Sequence, residues 1–455
     1  MSISEKLPGG QSSVHSSELF DRALQVMPSG YTRQMVVRDP YPLYADHAEG
    51  AWMWDVDGNK RIDFVNNFTA QIHGHGKQEI VDMVREQVAR LMSSIQPTEW
   101  EIKLAELLCE RVPSVERVRF MNSGTEAVLI AIKAARAYTG RPMIAKMEGG
   151  YHGQYDLIEA SFRPMPDTWG DADAPASVAH NFGTPQSLLD EVLVLPLNNI
   201  KASRVLIEKH ADQLSCVILD PYRVHLGNLE PSKEYLSMLR EVTREHGIVL
   251  IFDEVMCLRV GYSGAQGQLG ITPDLTTMGK IIGGGLPIGA VGGSREVMSV
   301  FEVEEGGPKV NHSGTFTANP MSMATGYVCM SLLTPDSFAR LEELSNRLVA
   351  GFQRAMEGNG VAGIARQTGA MASIVLADSL AENYRELLAT WTPDFLSKTV
   401  RLENLFLEEG VVTLRGLFVP STPMTEQDID FTIAAAGRVF KRLAQEYGDD
   451  HGNNT

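Results

Sequence analysis

An aspartate and a lysine, each at the end of an apolar segment, are the residues of this sequence that most clearly predict chemistry. Asp253 ends the apolar run Ile248–Phe252. Lys280 follows Gly279 and precedes Ile281–Gly285, which ends in three consecutive glycines. A carboxylate can keep a pyridine nitrogen protonated, and an amine can form an imine with an aldehyde. Together they suit pyridoxal 5'-phosphate, so the pair predicts an enzyme of amino-group chemistry.

Each member of this pair also has an ordinary structural interpretation. A buried carboxylate is costly unless it is paired, so Asp253 can instead cap a helix or form a salt bridge with an arginine. Lys280 can be a surface lysine or part of a nucleotide phosphate loop. The phosphate loop is excluded because position 274 is aspartate instead of glycine, and because Ile281 stands where that loop needs Ser or Thr. Val255 lies two residues beyond Asp253 on the same face, where it can pack against the flat side of a cofactor ring.

A phosphate site is predicted at Asn122–Ala127, which follows an apolar strand and opens a helix. Free backbone N–H groups and the helix dipole favour an anion at such a helix start. Ser123 and Thr125 add hydroxyl donors, and Gly124 lets the backbone approach a phosphate closely. The alternative is an ordinary helix N-cap, where Ser and Thr are common in any case.

Two further loop segments carry candidate ligands. Tyr151, within Gly149–Gly153, can stack on a planar heterocycle, although the same residues also suit a plain turn with an anchoring tyrosine. Thr315 precedes a predicted helix and can donate to a phosphate. Simple capping by Thr317 or Asn319 explains that segment equally well.

The elements that must position these residues follow from the periodicity of the chain. From about residue 115, apolar strands alternate with helices, which predicts a mostly parallel sheet covered by helices. Before that point we predict a short helix over Ser17–Val26 and a hairpin over Ala51–Phe64 that turns at Asp57-Gly58. Residues 160–190 are predicted to form a long loop over the site. The predicted strands are Val118–Met121, Met143–Met147, Cys216–Leu219 and Ile248–Phe252, and the predicted helices are Gln78–Met92, Glu99–Arg111, Ser123–Tyr138, Lys233–His246, Pro320–Leu333 and Glu426–Tyr447.

We predict a division into three parts. Residues 1–75 form an N-terminal segment that belongs to a small domain, residues 76–332 form the large cofactor-binding domain, and residues 333–455 form a C-terminal small α+β domain. The polar ends, residues 1–15 and 448–455, are predicted to be loosely held.

Composition argues against several other classes of protein. The formal net charge is −17 and no basic run is present, which argues against nucleic-acid binding. No stretch of about 18 uncharged apolar residues predicts a membrane span, and the N-terminus has no apolar signal segment. The four cysteines form no Cys-x-x-Cys pair, so neither a metal site nor a redox motif is predicted. These features predict a cytoplasmic enzyme that acts on small molecules.

Five segments, in chain order, resemble the class III pyridoxal-phosphate-dependent aminotransferases of fold type I. The resemblance extends from about residue 20 to residue 440 and is strongest for the branch with the glutamate-1-semialdehyde aminomutases and the β-amino-acid transaminases. It implies an α/β fold, in which a large domain with a mostly parallel seven-stranded sheet accompanies a smaller α+β domain. The segments are Asn122–Ala127, Gly150–Gly153, Ile251–Met256, Asp274–Gly285 and Ser313–Pro320.

The resemblance also implies roles for individual residues. Lys280 resembles the Schiff-base lysine of the family, and Asp253 resembles the partner of the pyridine nitrogen. Thr315 resembles a phosphate ligand that the family takes from the neighbouring subunit, which implies a homodimer with shared active sites. The remaining implied cofactor ligands are Ser123, Gly124 and Thr125 at the phosphate, Tyr151 as the stacking ring, and Val255.

The sequence departs from the family pattern in two places. In Asp220–Gly227, an aspartate stands where the family commonly has a glutamate, and the bulky residues Tyr222, Arg223 and His225 follow. Met256–Arg259 is shorter than in the aminomutases and matches the β-transaminase spacing better. Both departures bear on the identity of the substrate instead of on cofactor binding.

Arg33 and Arg415 are the predicted anchors for a substrate carboxylate, because each lies in a segment that resembles an arginine segment of the β-transaminases. A guanidinium can bind a carboxylate through two parallel hydrogen bonds. Surface salt bridges are the alternative for both. We therefore predict an aminotransferase that moves an amino group from an amine or amino acid, including β-amino acids, to a keto acid or aldehyde. The alternatives are a glutamate-1-semialdehyde 2,1-aminomutase and a non-catalytic cofactor-binding protein.

Overall fold

The structure, a computed structural model, describes residues 14–222, 229–304 and 306–447. Arg223 and His225, which the sequence singled out beside the cofactor, lie outside the described residues, as do most of the N-terminal tail and the tail at 448–455. Among the described residues, no helix is both long enough and apolar enough to cross a lipid bilayer.

The N-terminal segment begins with helix α1 (Val14–Leu24) and continues into three strands. Strands β1 (Ala45–Glu49), β2 (Trp52–Asp55) and β3 (Lys60–Asp63) pair in an antiparallel manner. The turn between β2 and β3 contains Gly58 at φ +81°, a conformation that favours glycine, so the predicted Asp-Gly hairpin is confirmed.

The middle of the chain forms an α/β unit. It begins with helices α2 (Gln78–Arg90) and α3 (Glu99–Arg111). The strands that follow are β4 (Arg117–Met121), β5 (Met143–Met147), β6 (Val192–Leu195), β7 (Leu214–Leu219), β8 (Val249–Asp253), β9 (Leu275–Gly279) and β10 (Gly289–Gly293). The helices among them are α4 (Gly124–Thr139), α5 (Asp156–Glu159), α6 (Gln186–Leu189), α7 (Ile200–Lys209), α8 (Lys233–Glu245), α9 (Gly264–Leu269) and α10 (Arg295–Met298), and α11 (Pro320–Ser331) then packs against α2 and α3.

Seven strands of the described chain form one sheet in the order β4-β10-β9-β8-β7-β5-β6. Strands β9, β8, β7, β5 and β6 run parallel, whereas β10 is antiparallel to both of its neighbours. Every residue of β7 and β8 is buried, as expected for interior strands with helices on both faces. The predicted mostly parallel seven-stranded sheet is thus confirmed.

Two apolar layers hold this sheet between helices. On one face, Ile144 and Ile218 pack with Ala131 of α4. On the other, Val217 and Leu250 pack with Leu239 of α8, whose buried side chains recur at helical spacing.

The C-terminal part is built on two long helices. Helices α12 (Pro335–Gly358), α13 (Tyr384–Thr390), α14 (Pro393–Glu408) and α15 (Glu426–Tyr447) alternate with strands β11 (Ile364–Thr368), β12 (Met371–Val375), β13 (Val411–Val412) and β14 (Leu417–Phe418). A cluster of buried rings forms its core: Phe352, Phe406, Phe418 and Phe440. Strand β13 pairs in parallel with β3, so the N-terminal and C-terminal parts share one sheet. The domain boundaries at residues 75/76 and 332/333 stay a prediction.

Most of the predicted elements match the observed ones to within a few residues. The first helix begins three residues earlier than predicted, at Val14, and α11 ends two residues earlier, at Ser331. Residues 160–190 are mainly loop, with α6 beginning at Gln186. Strands β6, β9 and β10 of the large sheet were not predicted, and for β10, Gly-Ala-Val-Gly-Gly, the reason is that glycine disfavours strands.

Candidate active site

Three neighbouring strands bring the two predicted residues to one edge of the sheet. The register of β7 with β8 pairs Leu219 with Phe252, so Asp220 and Asp253 leave adjacent strand ends side by side. The register of β8 with β9 pairs Asp253 with Thr277, three residues before Lys280. Ligands of open α/β sheets bind outside the carboxyl ends of the strands, where these residues lie.

Asp253 is buried and held by three hydrogen-bond donors. The Nδ1 atom of His152 lies 2.8 Å from Oδ2, and Oδ1 accepts the Thr277 hydroxyl at 2.9 Å and the Val255 N–H at 3.2 Å. These three donors, and not the arginine that the sequence also allowed, are the partners of the Asp253 carboxylate among the described residues. A carboxylate has about four acceptor positions, so three donors leave room for a protonated ring nitrogen. Because His152 and Thr277 come from a distant loop and the neighbouring strand, their part in the site was not predicted.

Lys280 directly follows β9 in a strained conformation. Its φ is +51°, a left-handed value that few non-glycine residues adopt, and it opens a short 3-10 turn to Gly283. Burial lowers the pKa of the Lys280 amine, while the negative charges of Asp220 and Asp253 oppose that effect. A lysine amine needs a lowered pKa to act as a nucleophile or base at neutral pH.

Helix α4 begins beside this edge. The Ser123 hydroxyl accepts the Glu126 N–H at 3.2 Å, so Ser123 is the N-cap of α4, the ordinary role that the sequence allowed. The Thr125 hydroxyl accepts the Gln154 N–H at 3.3 Å, which ties the helix start to the loop that contains Tyr151. Capping by Ser123 leaves the Gly124 and Thr125 N–H groups at the open end of the helix, where an anion binds favourably.

Val255 is wedged between two glycines. A Cβ atom on Gly124 would lie 2.7 Å from Val255 Cγ1, and one on Gly279 would lie 3.3 Å from the same atom. A side chain at position 124 would therefore force Val255 to move. The isopropyl group forms an apolar surface between the start of α4 and the end of β9.

Tyr151 lies on the loop after β5 and is 39% exposed. Its ring contacts Phe162 at a centroid distance of 5.1 Å, tilted by 54°. Burial raises the pKa of the Tyr151 hydroxyl, and the charges of Glu159 and Asp253 add to that effect. The ring thus lies within electrostatic reach of the Asp253 carboxylate.

The two predicted carboxylate anchors, Arg33 and Arg415, are both exposed. The Arg33 guanidinium donates to the Asn67 side-chain oxygen at 3.0 Å, and the backbone N–H of Arg415 donates to the Glu403 carboxylate at 3.1 Å. Burial lowers the pKa of Arg163, and the charge of Arg415 lowers it further, so these two guanidiniums lie near each other. The sequence did not single out Arg163, which belongs to the loop that follows α5.

Thr315 is exposed in the turn before α11. Within the described residues, no hydrogen bond joins it to Asp253, Lys280 or the start of α4. Its predicted role depends on a second subunit and stays a prediction.

A buried arginine connects this edge to the N-terminal segment and to the C-terminal part of the chain. Arg259 has no exposed surface and donates to the carbonyl oxygens of Thr69 at 2.9 Å and Pro420 at 2.6 Å. Burial lowers the pKa of Arg259 to about 9. The turn after Asp253 is thereby attached to the N-terminal segment and to the C-terminal part.

These residues fit pyridoxal phosphate. A helix start can bind the phosphate, Asp253 retains an acceptor position for the ring nitrogen, Tyr151 and Val255 present surfaces for the two ring faces, and Lys280 supplies the amine. Among the described residues, no group of three or more His, Cys, Asp or Glu side chains is arranged to hold a metal ion. The fold and this edge of the sheet define a pyridoxal-phosphate-dependent enzyme of fold type I.

Comparison with known families agrees with this assignment. The family described as Aminotransferase class-III matches residues 34–419, which is most of the chain. The protein therefore belongs to the class III aminotransferases. It is an enzyme that acts on nitrogenous groups, and its cofactor is pyridoxal phosphate, which solved transaminase relatives contain.

Individual relatives carry two different activities. A glutamate-1-semialdehyde 2,1-aminomutase of an Exiguobacterium species is 37% identical over 95% of this chain and 98% of its own length. An omega-transaminase from Sphaerobacter thermophilus is 45% identical, with a TM-score of 0.90 over 94% of this chain and 97% of that one. A β-phenylalanine aminotransferase from Variovorax paradoxus is 34% identical, with a TM-score of 0.82 over 96% and 94% of the two chains.

Proposed function

We propose that this protein is an aminotransferase that moves an amino group from an amine or amino acid, β-amino acids included, to a keto acid or aldehyde. The observation that carries the proposal is the convergence of Asp253, Lys280 and the start of α4 at one edge of the sheet. The omega-transaminase and the β-phenylalanine aminotransferase, which are 45% and 34% identical, support a transaminase activity.

Each predicted residue has a role that its surroundings support. When bound, the cofactor supplies an aldehyde for amines and an electron sink for the carbon next to nitrogen. The Lys280 amine would hold the cofactor at its aldehyde and would move a proton at that carbon, a task that its lowered pKa favours. Asp253, oriented by His152, keeps the ring nitrogen protonated.

The cofactor is bound by residues on all sides. Ser123, Gly124 and Thr125 bind the phosphate at the start of α4, and Tyr151 and Val255 enclose the ring. Thr315 completes the phosphate site from the second subunit of a homodimer with shared active sites. We further propose that the enzyme acts in the cytoplasm.

The substrate carboxylate is bound by Arg33 or Arg415. Both guanidiniums are exposed, and among the described residues neither lies in an ion pair, so both can receive an anion. The proximity of Arg163 to Arg415 concentrates positive charge beside the Tyr151 loop, which favours donors that carry a carboxylate over plain amines.

An isomerase is the second candidate function, because an aminomutase relative is 37% identical over nearly the whole chain. Incubation of the enzyme with glutamate 1-semialdehyde alone separates the two functions. An aminomutase forms 5-aminolevulinate without any amino donor, whereas the proposed aminotransferase does not.

A donor screen tests the main proposal. β-Amino acids, α-amino acids and arylalkyl amines are each mixed with the loaded enzyme, and the visible absorbance of the bound cofactor is followed. A loss of that absorbance with at least one donor, and product formation after a keto acid is added, are expected. Lys280→Ala should bind cofactor without turnover, and turnover by this variant at the wild-type rate would contradict the role of Lys280.

Arg415→Ala tests the carboxylate anchor. Because a bidentate ion pair is lost, we expect kcat/KM for carboxylate-bearing donors to fall by about tenfold to a hundredfold, with little change for plain amines. Arg438→Ala is a matched control, since this exposed arginine of α15 pairs with Glu409, which directly follows α14. Equal losses for both donor types would remove Arg415 as an anchor.

A further inference from the structure

A lysine without any exposed surface lies on an interior strand of the large sheet. Lys146 is the fourth residue of β5 and is paired with β6 and β7 on its two sides. Strand alternation places it on the same face as Ile144, where the core between the sheet and α4 lies. An ammonium group at such a position is costly unless its donors are all satisfied.

Three backbone carbonyl oxygens surround this ammonium group. The Nζ atom donates to Gly150 at 2.9 Å, to Ile158 at 2.7 Å and to Ala160 at 2.6 Å. A lysine ammonium has three N–H donors, so these carbonyls match its donors one for one. Because the acceptors come from both ends of residues 150–160, one charged group fixes the two ends of that segment relative to each other.

The segment 150–160 contains the two loop residues of the candidate site. Its first half carries Tyr151 and His152, and His152 lies 2.8 Å from the Asp253 carboxylate. The base of the segment is closed by the Gly149 N–H, which donates to Ser161 at 2.9 Å. A displacement of this segment would therefore move the ring of Tyr151. It would also move His152 away from the Asp253 carboxylate.

We propose that Lys146 is a positioning residue for the cofactor site: its buried ammonium group holds the segment 150–160, and thereby Tyr151 and His152, in the cofactor-binding conformation before the cofactor arrives. The inference rests on the proposed roles of these two residues in holding the cofactor. Lys146 itself does not touch the reacting atoms, and it acts through the three carbonyl groups. A segment ordered in advance lowers the entropic cost of cofactor binding.

Hydrogen–deuterium exchange of the apoprotein is the first test, because it needs neither cofactor nor substrate. In the wild-type apoprotein, the hydrogen-bonded amides of Gly150, Ile158 and Glu159 should exchange much more slowly than amides of an exposed loop. Wild-type apoprotein in which this segment exchanges as fast as an exposed loop would overturn the proposal without any variant.

Lys146→Met is the main variant, and Lys146→Gln, which keeps two N–H donors, is the second. We expect exchange over residues 150–160 to rise by about tenfold or more in Lys146→Met and by less in Lys146→Gln, with α15 unchanged. The dissociation constant for pyridoxal phosphate should rise by about tenfold, and the circular dichroism band of the bound cofactor should weaken.

Thr243→Val is the matched control. Thr243 is also fully buried and donates to a backbone carbonyl, that of Leu239 at 2.7 Å, but it lies on α8 away from the segment. It should lower stability without changing exchange over residues 150–160 or cofactor affinity. A folded Lys146 variant with wild-type exchange and wild-type cofactor affinity would refute the proposal. These readouts use no amine, so a failed donor screen would count against the proposed function alone.

Discussion

The buried carboxyl group of Glu254, next to Asp253 in the chain, makes the unfolding free energy depend on pH. Glu254 has no exposed surface. Burial raises its pKa from the ordinary 4.5 to about 7, and the adjacent charge of Asp253 acts in the same direction. Three N–H donors oppose this effect: Ala265 N at 2.7 Å, and Gln266 N at 3.1 Å and Nε2 at 2.9 Å.

The sign of the pH effect follows from which state binds the proton. Between pH 4.5 and about 7, the folded protein keeps Glu254 protonated while the unfolded chain releases the proton, so the unfolding free energy falls as pH rises. Each tenfold difference in proton affinity is linked to about 1.4 kcal/mol. The raised pKa of Glu254 thus corresponds to roughly 3 kcal/mol of unfolding free energy. This stability is present below pH 4.5 and is lost as the pH rises above about 7.

Glu254→Gln is the perturbation that isolates this effect. Urea unfolding of the apoprotein, followed by circular dichroism at pH 5 and pH 8, is compared for wild type and variant. From pH 5 to pH 8, the unfolding free energy of the wild type should fall by about 2 to 3 kcal/mol more than that of the variant. The variant is also less stable at both, because one amide N–H of glutamine faces the Ala265 N–H. The same pH dependence in both proteins would refute the reasoning.

Two further predictions concern the packing and the electrostatics of the site. Gly124→Ala should destabilise the apoprotein by about 1–3 kcal/mol, because the new methyl group would lie 2.7 Å from Val255 Cγ1. Val255→Ala should relieve that loss in the double variant, and strictly additive losses in urea unfolding would disprove the clash. Asp220→Asn should lower the pKa of Lys280 further, since the charge of Asp220 raises it. The pH profile for acylation of Lys280 in the apoprotein, read by mass spectrometry, should move to lower pH, and an unchanged profile would show that Asp220 does not act on Lys280.

Local signals in the sequence were sufficient for the elements that were predicted and for the types of the predicted site residues. Apolar runs and helical spacing predicted β8 and α4, and the position of Asp253 at the end of one run predicted a carboxylate at a strand end. These predictions succeeded because strand alternation, helix capping and burial depend on neighbouring residues in the chain. Family resemblance supplied the seven-stranded sheet, which is confirmed.

Strand β10 illustrates why local signals fail elsewhere. Three of its five residues are glycine, so propensity argues against a strand, yet it lies between β4 and β9. A Cβ atom on Gly289 would lie 2.0 Å from the Ser123 carbonyl oxygen, so the residue is set by a neighbour far away in sequence. Tertiary packing, which propensity does not contain, decided that element.

The sequence by itself determined which amino acids could carry the chemistry. An acid and a lysine that follow apolar runs can be recognised without knowing which residues surround them in the folded protein. Only the tertiary structure decided what surrounds them. The donors to Asp253 from His152 and Thr277, the acids that act on the Lys280 amine, and the carbonyl groups around Lys146 all come from segments far apart in the chain. The physical reason is that hydrogen bonds and charges act through space, so strand order and register determine which groups meet.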